Sequence, residues 1–541
     1  MALVFHLIDR SFPRAVFGWL VRPGGFCLGL LAGLVMAVIA PGLAPWINDE
    51  AKLLNNAWLS NTTGWPAKMG LLGTQGYFYG PAPTWFYQLA LLVTHDIYGL
   101  VTIHAVLFYT ATLMAGWFLT RTAGFPTSSL LILAFAPGIC FYSRQLWDNS
   151  FNIPISIGLL ALYASQRGRA ARWKLMLLGA GCVLAMGIHL SAVTLVVVLL
   201  IHAWLANRQR VKSWIIPFMM GAVLMLLAHL PYIGWQISIL TGAVPKPVLI
   251  NEGLVEGYPY AAFRQSRTES IFFAWTGGRI LTASFSIMPR FESGYLSIGQ
   301  DILGWITQGM YVFFVIGLVG VLIGFLKYKF KRFIDLPSSM RDLVLIGVGV
   351  ILCNSLLFAV IRPVRMDHYF NGSFSAYLVV ILAGVSVLIQ RGWKVMVILP
   401  VLCLGGYTGL CLLNLHQTKG RQLGYGPVLS EQLRVLQEVE NRGTGGFHTN
   451  VVHFVFFSPC RPNALAVRST DNSGEVRRLV ACRETDEPPC RPSLGRREND
   501  IAGSNRTITS ACSRQADTVV QVKHARGDLF GEKDKDVVFF V

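Results

Sequence analysis

Residues 100–120 read LVTIHAVLFYTATLMAGWFLT, and Arg121 follows immediately. The run is long and apolar enough to cross a bilayer as one helix, because about 20 helical residues span a hydrocarbon core of about 30 Å. Every backbone polar group in such a helix is satisfied within its own segment, as lipid requires. The stretch therefore predicts a transmembrane helix that ends at a basic residue.

Further stretches of this kind predict an all-α polytopic membrane domain with about 11 transmembrane helices. The predicted spans are 26–46, 100–120, 127–142, 151–166, 173–188, 190–206, 213–237, 302–326, 343–361, 373–390 and 393–414. Of the 541 residues, 53% are hydrophobic and only 14% are charged, and the mean hydropathy is +0.51. Soluble domains carry about 25% charged residues, so this composition argues against a cytosolic enzyme, a coiled coil or a disordered chain.

The positive charge follows the predicted topology. The net charge is +18, and Lys and Arg exceed Asp and Glu by 15 in residues 1–415 but by only 3 in residues 416–541. Because cytoplasmic connectors are enriched in Lys and Arg, we predict a cytoplasmic N-terminus, which places a basic cluster inside after every even-numbered span. These clusters lie at 121, 167–174, 208–212, 327–332 and 391–394. The pattern indicates membrane lipids as partners and no nucleic acid.

Residues 83–98 could form a twelfth span, but counting them would place every later basic cluster outside. The stretch contains His95 and Asp96, and its Trp85, Phe86 and Tyr87 suit the depth of lipid headgroups. We therefore predict that it lies along the outer interface as a juxtamembrane helix.

The outer face is the predicted location of function, because its loops are too long and too polar for simple connectors. With the N-terminus inside, the outer regions are 47–99, 143–150, 238–301 and 362–372, followed by a small soluble periplasmic α/β domain at 416–541. An even number of cysteines in an exported domain suggests two disulfides, with a zinc site as the alternative. The four cysteines of this domain are Cys460, Cys482, Cys490 and Cys512.

Two carboxylates come directly after the first span, at Asp49 and Glu50. Ionised groups so close to hydrocarbon are costly unless they serve a function. The following stretch AKLLNNAWLS predicts an amphipathic helix that lies on the membrane, with Leu53, Leu54, Ala57 and Trp58 on one face, and that would hold Asp49 near the bilayer surface. The alternative is a helix start, where acidic residues interact favourably with the helix dipole.

A third acidic group lies in the tight loop after the third span. This loop is expected to bring Arg144 and Asp148 to the outer surface with little freedom. The alternative to a functional role is a surface ion pair, which contributes less than about 1 kcal/mol.

The segment 362–369 reads RPVRMDHY and is predicted to face outside between the ninth and tenth spans. Basic residues on the outer side oppose the topological bias, which argues against a pure anchoring role. Arg362, Arg365 and His368 suit a phosphate group through charge-assisted hydrogen bonds. Contact with lipid headgroups is the alternative.

Acidic groups and a phosphate-binding segment at one membrane face suit a sugar donor linked to a lipid phosphate. The phosphate would be the leaving group, and a carboxylate would take the proton of the acceptor hydroxyl. Attack opposite the phosphate would invert the sugar carbon. Cationic side chains or a divalent metal ion would offset the charge on the departing phosphate.

The order of four motifs resembles the GT-C superfamily of membrane glycosyltransferases. The motifs are NDEA at 48–51, YGPAPTWFY at 79–87, SR at 143–144 with Asp148, and HY at 368–369. The chain is similar in particular to the branch of the protein O-mannosyltransferases and the bacterial lipid A aminoarabinose transferase, over about residues 26–415. This resemblance implies a polyprenyl-phosphate-sugar donor and inverting hexosyl or pentosyl transfer on the periplasmic face.

The resemblance also implies site residues, with Asp49 as the catalytic carboxylate, Asp148 as the second acidic position and the Tyr79–Tyr87 segment on the donor side. The predicted catalytic residues are Asp49, Glu50 and Asp148, and the predicted substrate-binding residues are Arg144, Tyr79, Tyr87, Arg264, Arg267, Arg362, Arg365, His368 and Tyr369. Family members often carry Lys-Pro or Glu-Lys-Pro where this chain has YGPAP, so no metal ligand is assigned. His189 is interpreted as a polar cap between helices, with an approach to the site as the alternative.

A multi-span transporter or a flippase of a lipid-linked saccharide is the alternative function. Transporters usually show two related halves and charged groups at the membrane midplane, whereas here the ionisable residues cluster at one face. We therefore expect an enzyme of the bacterial inner membrane, with a glycan, lipid or protein as acceptor.

Overall fold

The structure is a computed structural model, and the chain divides into two compact units, Met1–Leu429 and Ser430–Val541. The residues that it describes are 23–44, 46, 48–73, 78–166, 171–243, 266–275, 298–299, 301–303, 306, 337–361, 367–390, 395–418, 428–434, 467–470, 476–479, 519–522 and 537–540.

The described part of the first unit is helical apart from one isolated β-bridge. Its α-helices are α1 Pro23–Val38, α2 Asn48–Thr63, α3 Ala82–Val93, α4 Ile97–Ala123, α5 Leu130–Ala134, α6 Pro137–Arg144, α7 Asn152–Ala164, α8 Arg172–Ile188, α9 Val193–Ala206, α10 Val211–Ala228, α11 Leu230–Leu240, α12 Arg267–Trp275, α13 Ser338–Ile361, α14 Phe374–Gln390 and α15 Val395–Thr418. Short 3-10 helices at Asp148–Phe151, Leu190–Ala192 and Asp367–Ser373 lie between them.

The described part of the second unit includes two antiparallel strand pairs. Strand β1 (Val467–Thr470) pairs with β2 (Val476–Leu479), and β3 (Val519–Val522) pairs with β4 (Val537–Phe540). Strand β4 lies in the apolar stretch DVVFFV at 536–541. The four cysteines of this unit lie outside the described residues, so the α/β domain and its disulfides stay predictions.

Four helices in the described ranges are long and apolar enough to cross a membrane, which makes the protein an integral membrane protein. They are Ile97–Ala123, Val211–Ala228, Ser338–Ile361 and Tyr369–Ser386, and the shorter helices Phe26–Val38 and Leu190–Ala206 are apolar as well. Most of the predicted span 302–326 lies outside the described residues. The number of 11 spans therefore stays a prediction.

Two predicted spans are not single helices. The stretch 127–142 breaks at Phe135 and Ala136, between α5 and α6, and the stretch 213–237 breaks at His229, between α10 and α11. In each case a proline, Pro137 or Pro231, follows within two residues of the break. Proline lacks the backbone N–H and disfavours helical geometry in the residue before it. A hydropathy pattern does not register these interruptions.

The stretch 83–98 is not a span, as its charge pattern predicts. Helix α3 has 12 residues and is about 18 Å long at 1.5 Å per residue, shorter than a hydrocarbon core of about 30 Å. It packs beside α2, where the Gln88 side chain donates to Asn61 Oδ1 at 3.1 Å and accepts from the backbone N–H of Ala67 at 2.8 Å. Helices α2 and α3 therefore pack as a pair, and their position at the membrane surface stays a prediction.

Several helix ends meet at one end of the bundle, here called the basic end. Ser339 donates to the carbonyl of Ala123 at 3.3 Å, and the hydroxyl of Tyr163 lies 2.7 Å from His202 Nδ1. His202 Nε2 lies 4.0 Å from a carboxylate oxygen of Asp342. The basic connectors after α4, α7 and α9 begin at these ends. Helices α2 and α3, residues 70–73 and 78–80, and the loops at 145–152 and 189–193 form the opposite end, here called the site end.

Helices α8 and α10 approach each other closely through two glycines. A Cβ on Gly179 would meet the backbone carbonyl of Phe218, and a Cβ on Gly221 would meet that of Met176. Small residues of this kind let membrane helices pack backbone against backbone, which supplies van der Waals contact where no hydrophobic effect acts between helices.

We expect Gly179→Val to lower the free energy of unfolding by about 1–3 kcal/mol, because the branched side chain would displace the backbone of α10 rather than a mobile side chain. Gly158→Val in α7 is the matched control, since a Cβ at Gly158 meets nothing within 4 Å. Thermal unfolding of the detergent-purified protein measures both. Equal melting temperatures for the two variants would contradict this packing.

Candidate active site

Helix α2 presents Asp49 and Glu50 in its first turn, where the dipole of the helix favours negative charge. Leu53, Leu54 and Ala57 are fully buried, so the predicted amphipathic face is confirmed. Asp49 is half-buried. Its carboxylate takes part in a hydrogen bond with the side chain of Trp147 and interacts with the charge of Lys52. Residue Trp147 thus ties the start of α2 to the loop after α6.

Asp148 begins the 3-10 helix between α6 and α7, and the structure buries it to 1% exposure. Its Oδ1 accepts from the backbone N–H of Asn149 at 2.6 Å. Its Oδ2 has no hydrogen-bond partner among the described residues. The prediction of an exposed loop is therefore wrong, because residues 145–152 are enclosed between neighbouring elements rather than held in solvent.

The two carboxyl groups influence each other. Burial, and then the charge of Asp49, raise the pKa of Asp148 well above its usual range. Burial also raises the pKa of Asp49, while Lys52 and the hydrogen bond with Trp147 act in the opposite direction. Neighbouring carboxylates in little water resist simultaneous ionisation. A pair with shifted pKa values at a loop-built site is typical of catalytic acids and bases.

A short hairpin presents Tyr79 to these carboxylates. The backbone N–H of Tyr79 donates to Leu71 at 2.7 Å, and the N–H of Gly80 donates to the carbonyl of Gly187 at the end of α8, also at 2.7 Å. A Cβ on Gly80 would lie 2.9 Å from that carbonyl oxygen, so only glycine permits the approach. From α11, Tyr232 donates to the carbonyl of Phe78 at 2.8 Å.

The hydroxyl of Tyr79 lies 3.0 Å from Nε2 of His189, and the two rings are 4.7 Å apart. His189 is 7% exposed, and burial lowers its pKa to about 4. The favoured interpretation of His189 as a cap between helices is thus incomplete, because the ring contacts a predicted site residue.

The groups that act electrostatically on Tyr79 show which predicted site residues lie near it. Its pKa is raised by burial and then by Asp148, Tyr369, Asp49 and Tyr232. Tyr369 belongs to the 3-10 helix Asp367–Ser373, which packs at Gly372 against the backbone of Ser191 and Ala192. Asp49, Asp148 and the end of the 362–369 segment therefore meet around Tyr79. Arg362 and Arg365, together with the side chain of His368, lie outside the described residues.

Tyr87 and Glu50 are placed differently from Tyr79. Both are fully buried, and burial, then Glu50 and Asp148, raise the pKa of Tyr87 well above its usual range. His104 Nε2 lies 3.4 Å from the carbonyl of Tyr142, which only accepts, so Nδ1 of His104 accepts the hydroxyl proton of Tyr87 at 2.9 Å. This arrangement favours a structural role for Tyr87, although its predicted substrate contact stays open.

Arg144 is 2% exposed rather than on the surface. Its guanidinium donates to the carbonyls of Met36 at 2.5 Å and Ala40 at 3.4 Å, at and just beyond the end of α1. A cation there complements the negative end of the helix dipole. Among the described residues, no ion pair joins Arg144 to a carboxylate. These contacts favour helix capping over the predicted contact with substrate.

The structure describes one of the two predicted basic residues of the long loop. Arg267 is exposed at the start of α12, and Arg264 lies outside the described residues. Helix α12 begins with a reciprocal cap, in which the N–H of Ser266 donates to Glu269 at 2.8 Å and the N–H of Glu269 donates to Ser266 at 3.2 Å. The role of both arginines stays a prediction.

Within the described ranges, no group of three or more His, Cys, Asp or Glu side chains could hold a metal ion. The divalent ion stays a prediction, and no ligand is assigned to it.

Sequence reasoning did not single out Trp147, Lys52 or Tyr232. The signal for the first was the polar run QLWDNSFN at 145–152, in which Gln145, Asn149 and Asn152 are as buried as Asp148. The sequence pattern of this run is that of a surface loop, so it does not predict that these polar side chains are buried beside Asp148. Tyr232 lies inside a predicted span, and only the break before α11 brings it to the site end.

No protein-family model and no curated protein sequence matches the chain. The chain is similar to two solved structures. Both are structures of ArnT from Cupriavidus metallidurans. The one bound to undecaprenyl phosphate is 14% identical with a TM-score of 0.48, and the match covers 80% of this chain and 84% of that ArnT. The apo structure is 14% identical with a TM-score of 0.36, and the match covers 73% and 78%.

ArnT is a GT-C lipid A aminoarabinose transferase, from the branch whose motifs this sequence resembles. A similarity at this identity and TM-score assigns no activity, substrate or residue role to this chain. Those depend on the side chains at the site end.

We expect Asp148→Asn to stabilise the protein at neutral pH. The folded-state pKa of Asp148 is raised, so the folded state binds more protons than the unfolded state above pH 3.8, and stability falls as pH rises toward the folded pKa. Asparagine removes this loss, and the gain in melting temperature should be absent near pH 4 and at least about 2 °C at pH 8.

Asp96→Asn is the control for this experiment. Asp96 is exposed and caps α4 by accepting from the N–H of Gly99 at 2.7 Å, a bond that asparagine can also make. A gain for Asp148→Asn that does not vary with pH would contradict the assigned ionisation.

Proposed function

We propose that the protein is a glycosyltransferase that moves a sugar from a polyprenyl-phosphate donor to an acceptor hydroxyl, with inversion, at the periplasmic face of the bacterial inner membrane. The single observation that carries the proposal is the pairing of half-buried Asp49 with enclosed Asp148, which lies with Tyr79 and Tyr369 at one end of a bundle of apolar helices. The order of the sequence motifs adds support, because it is the order in the GT-C branch described above.

The chemistry follows from the placement of the pair. The acceptor oxygen attacks the anomeric carbon as the bond from that carbon to the phosphate oxygen breaks, and the polyprenyl phosphate leaves with the bonding electrons. A carboxylate receives the hydroxyl proton as the new bond forms. Asp49 is assigned this role, because it is half-buried and so remains accessible to an acceptor, whereas Asp148 is enclosed.

The protein around Asp49 contributes to catalysis by excluding water from its carboxylate. A carboxylate has an ordinary pKa near 4 and is a weak base in water, and burial raises the pKa of Asp49. A raised pKa makes the carboxylate a better proton acceptor near neutral pH. Tyr369 supplies a neutral hydroxyl group beside the carboxylates, where a phosphate or sugar oxygen can be bound without further charge, and Tyr79 lines the same part of the site.

The location of the site end agrees with a lipid-linked donor. The phosphate of such a lipid lies at headgroup level while its chain lies among apolar helices, and the carboxylates lie where α2 and α7 begin. Residues 416–541 are proposed to be a small periplasmic α/β domain. A hexose or a pentose, and a glycan, lipid or protein acceptor, all fit this proposal.

We expect Asp49→Asn to lower the rate of sugar transfer by at least about 100-fold, because it removes the base while keeping the size of the side chain. The assay measures release of undecaprenyl phosphate and transfer of label from a panel of undecaprenyl-phosphate-linked hexoses and pentoses, with membrane extract as the source of acceptor. Nuclear magnetic resonance of the product reports the anomeric configuration.

Asp96→Asn again serves as the control and should transfer at the wild-type rate. Retained transfer in a folded Asp49→Asn variant would remove Asp49 from the catalytic role. If the wild type accumulates a labelled lipid-linked saccharide in vesicles without forming a glycosidic bond, the protein is a transporter or flippase and the proposal fails.

A further inference from the structure

His189 has a single possible tautomer in this structure. Its Nδ1 accepts the backbone N–H of Ser191 at 3.1 Å, and a ring nitrogen that accepts carries no hydrogen. Burial favours the neutral ring, so its one proton is on Nε2. Nε2 therefore donates to the hydroxyl oxygen of Tyr79 at 3.0 Å.

This direction leaves the proton of Tyr79 available. The hydroxyl oxygen accepts from His189, so its own O–H can donate to another group. Among the described residues, the ring of His189 is its single hydrogen-bond partner. Asp148 is the charge that acts most strongly on Tyr79, and its Oδ2 is a buried acceptor that receives no hydrogen bond from the described residues. Among the described residues, the hydroxyl proton of Tyr79 thus has no acceptor and Oδ2 of Asp148 has no donor.

We infer that His189 is a positioning residue, which through Tyr79 directs a hydrogen bond at Oδ2 of Asp148 and holds this carboxylate ionised and oriented. The hydroxyl and Oδ2 make no direct hydrogen bond in this structure, so the hydrogen bond that we infer runs through one water molecule. The inference rests on the proposed function only in its catalytic consequence. The chain of donors itself runs from Ser191 N–H through His189 and Tyr79 to Asp148.

The other tyrosine–histidine pairs show that this direction is not a general property. Tyr87 donates its only hydroxyl proton to His104, so this hydroxyl cannot donate to a second group. At the basic end, Tyr163 lies 2.7 Å from His202 Nδ1, at the opposite end of α7 from Asp148. The orientation of Tyr79 is set by Ser191, whose backbone is held by the contact between Gly372 and residues 191–192.

The groups that face the proposed chain come from four elements. Asp49, with Lys52 beside it, faces Asp148 from α2, and Tyr87 faces it from α3, next to Glu50. Tyr369 and Tyr232 face Tyr79 from the 3-10 helix Asp367–Ser373 and from α11. Tyrosine does not titrate near neutral pH. Changes in the titration between about pH 4 and pH 8 should therefore come from the carboxyl groups.

We expect Tyr79→Phe and His189→Leu each to raise the pKa of Asp148 by about one unit, because each removes the hydrogen bond that stabilises the charged form. His189→Gln retains an N–H donor and should shift it less. Infrared difference spectra of the full-length protein between pH 4 and pH 8 report the protonated carboxyl group. The band that is missing in Asp148→Asn identifies Asp148.

The same variants should move the acidic limb of the pH profile of kcat/KM for sugar transfer to higher pH by the same amount. The double variant Tyr79→Phe/His189→Leu should move it no further than Tyr79→Phe alone, since both changes break one chain. The controls Tyr163→Phe and His202→Leu should move neither readout.

The outcomes separate the inference from the proposed function. An unchanged infrared titration in Tyr79→Phe, which lacks a single oxygen atom, overturns the inference whether or not transfer is detected. Additive shifts in the double variant, or equal shifts in His189→Gln and His189→Leu, also overturn it. If the infrared shift occurs but the wild type transfers no sugar, the chain of hydrogen bonds stands and the proposed function fails.

Discussion

The cost of placing two carboxyl groups together in little water governs the arrangement of the site end. Asp49 and Asp148 each lose hydration, and each opposes the ionisation of the other. The surrounding groups offset this cost in different ways: Lys52 by charge, Trp147 by a hydrogen bond and the start of α2 by its dipole. Such an arrangement is tolerated when reactivity, rather than stability, is what the site provides.

Irregular backbone within the predicted spans shapes the site. Lipid permits unpaired backbone groups only where protein covers them, and the breaks at Phe135 and His229 are covered in this way by neighbouring helices. Outside these spans, Gly80 donates its backbone N–H to Gly187 at the end of α8, and the carbonyl of Phe78 accepts from Tyr232 of α11. Glycines at the points of closest approach replace side chains that would keep these elements apart.

Hydropathy and charge predicted the class of the protein, the juxtamembrane helix α3 and the face on which its ionisable residues gather. The amphipathic pattern after Asp49 also predicted the buried face of α2. The sequence did not predict that Arg144 and Asp148 are buried, because a short polar loop between apolar spans has the same pattern whether it faces water or protein. Hydrogen-bond direction, such as that between His189 and Tyr79, depends on three-dimensional placement and leaves no periodic signal.

The cap on α1 has a consequence for biogenesis. Arg144 contacts carbonyls that precede it by 108 and 104 residues, so α1 emerges from the ribosome well before its cap exists. Until α6 is inserted, the carbonyl end of α1 depends on solvent or headgroups for its partners. Residue Asp49, shortly beyond that end, acquires its final surroundings only then. Assembly of the reactive face is therefore a late event in membrane insertion, although its first residue is translated early.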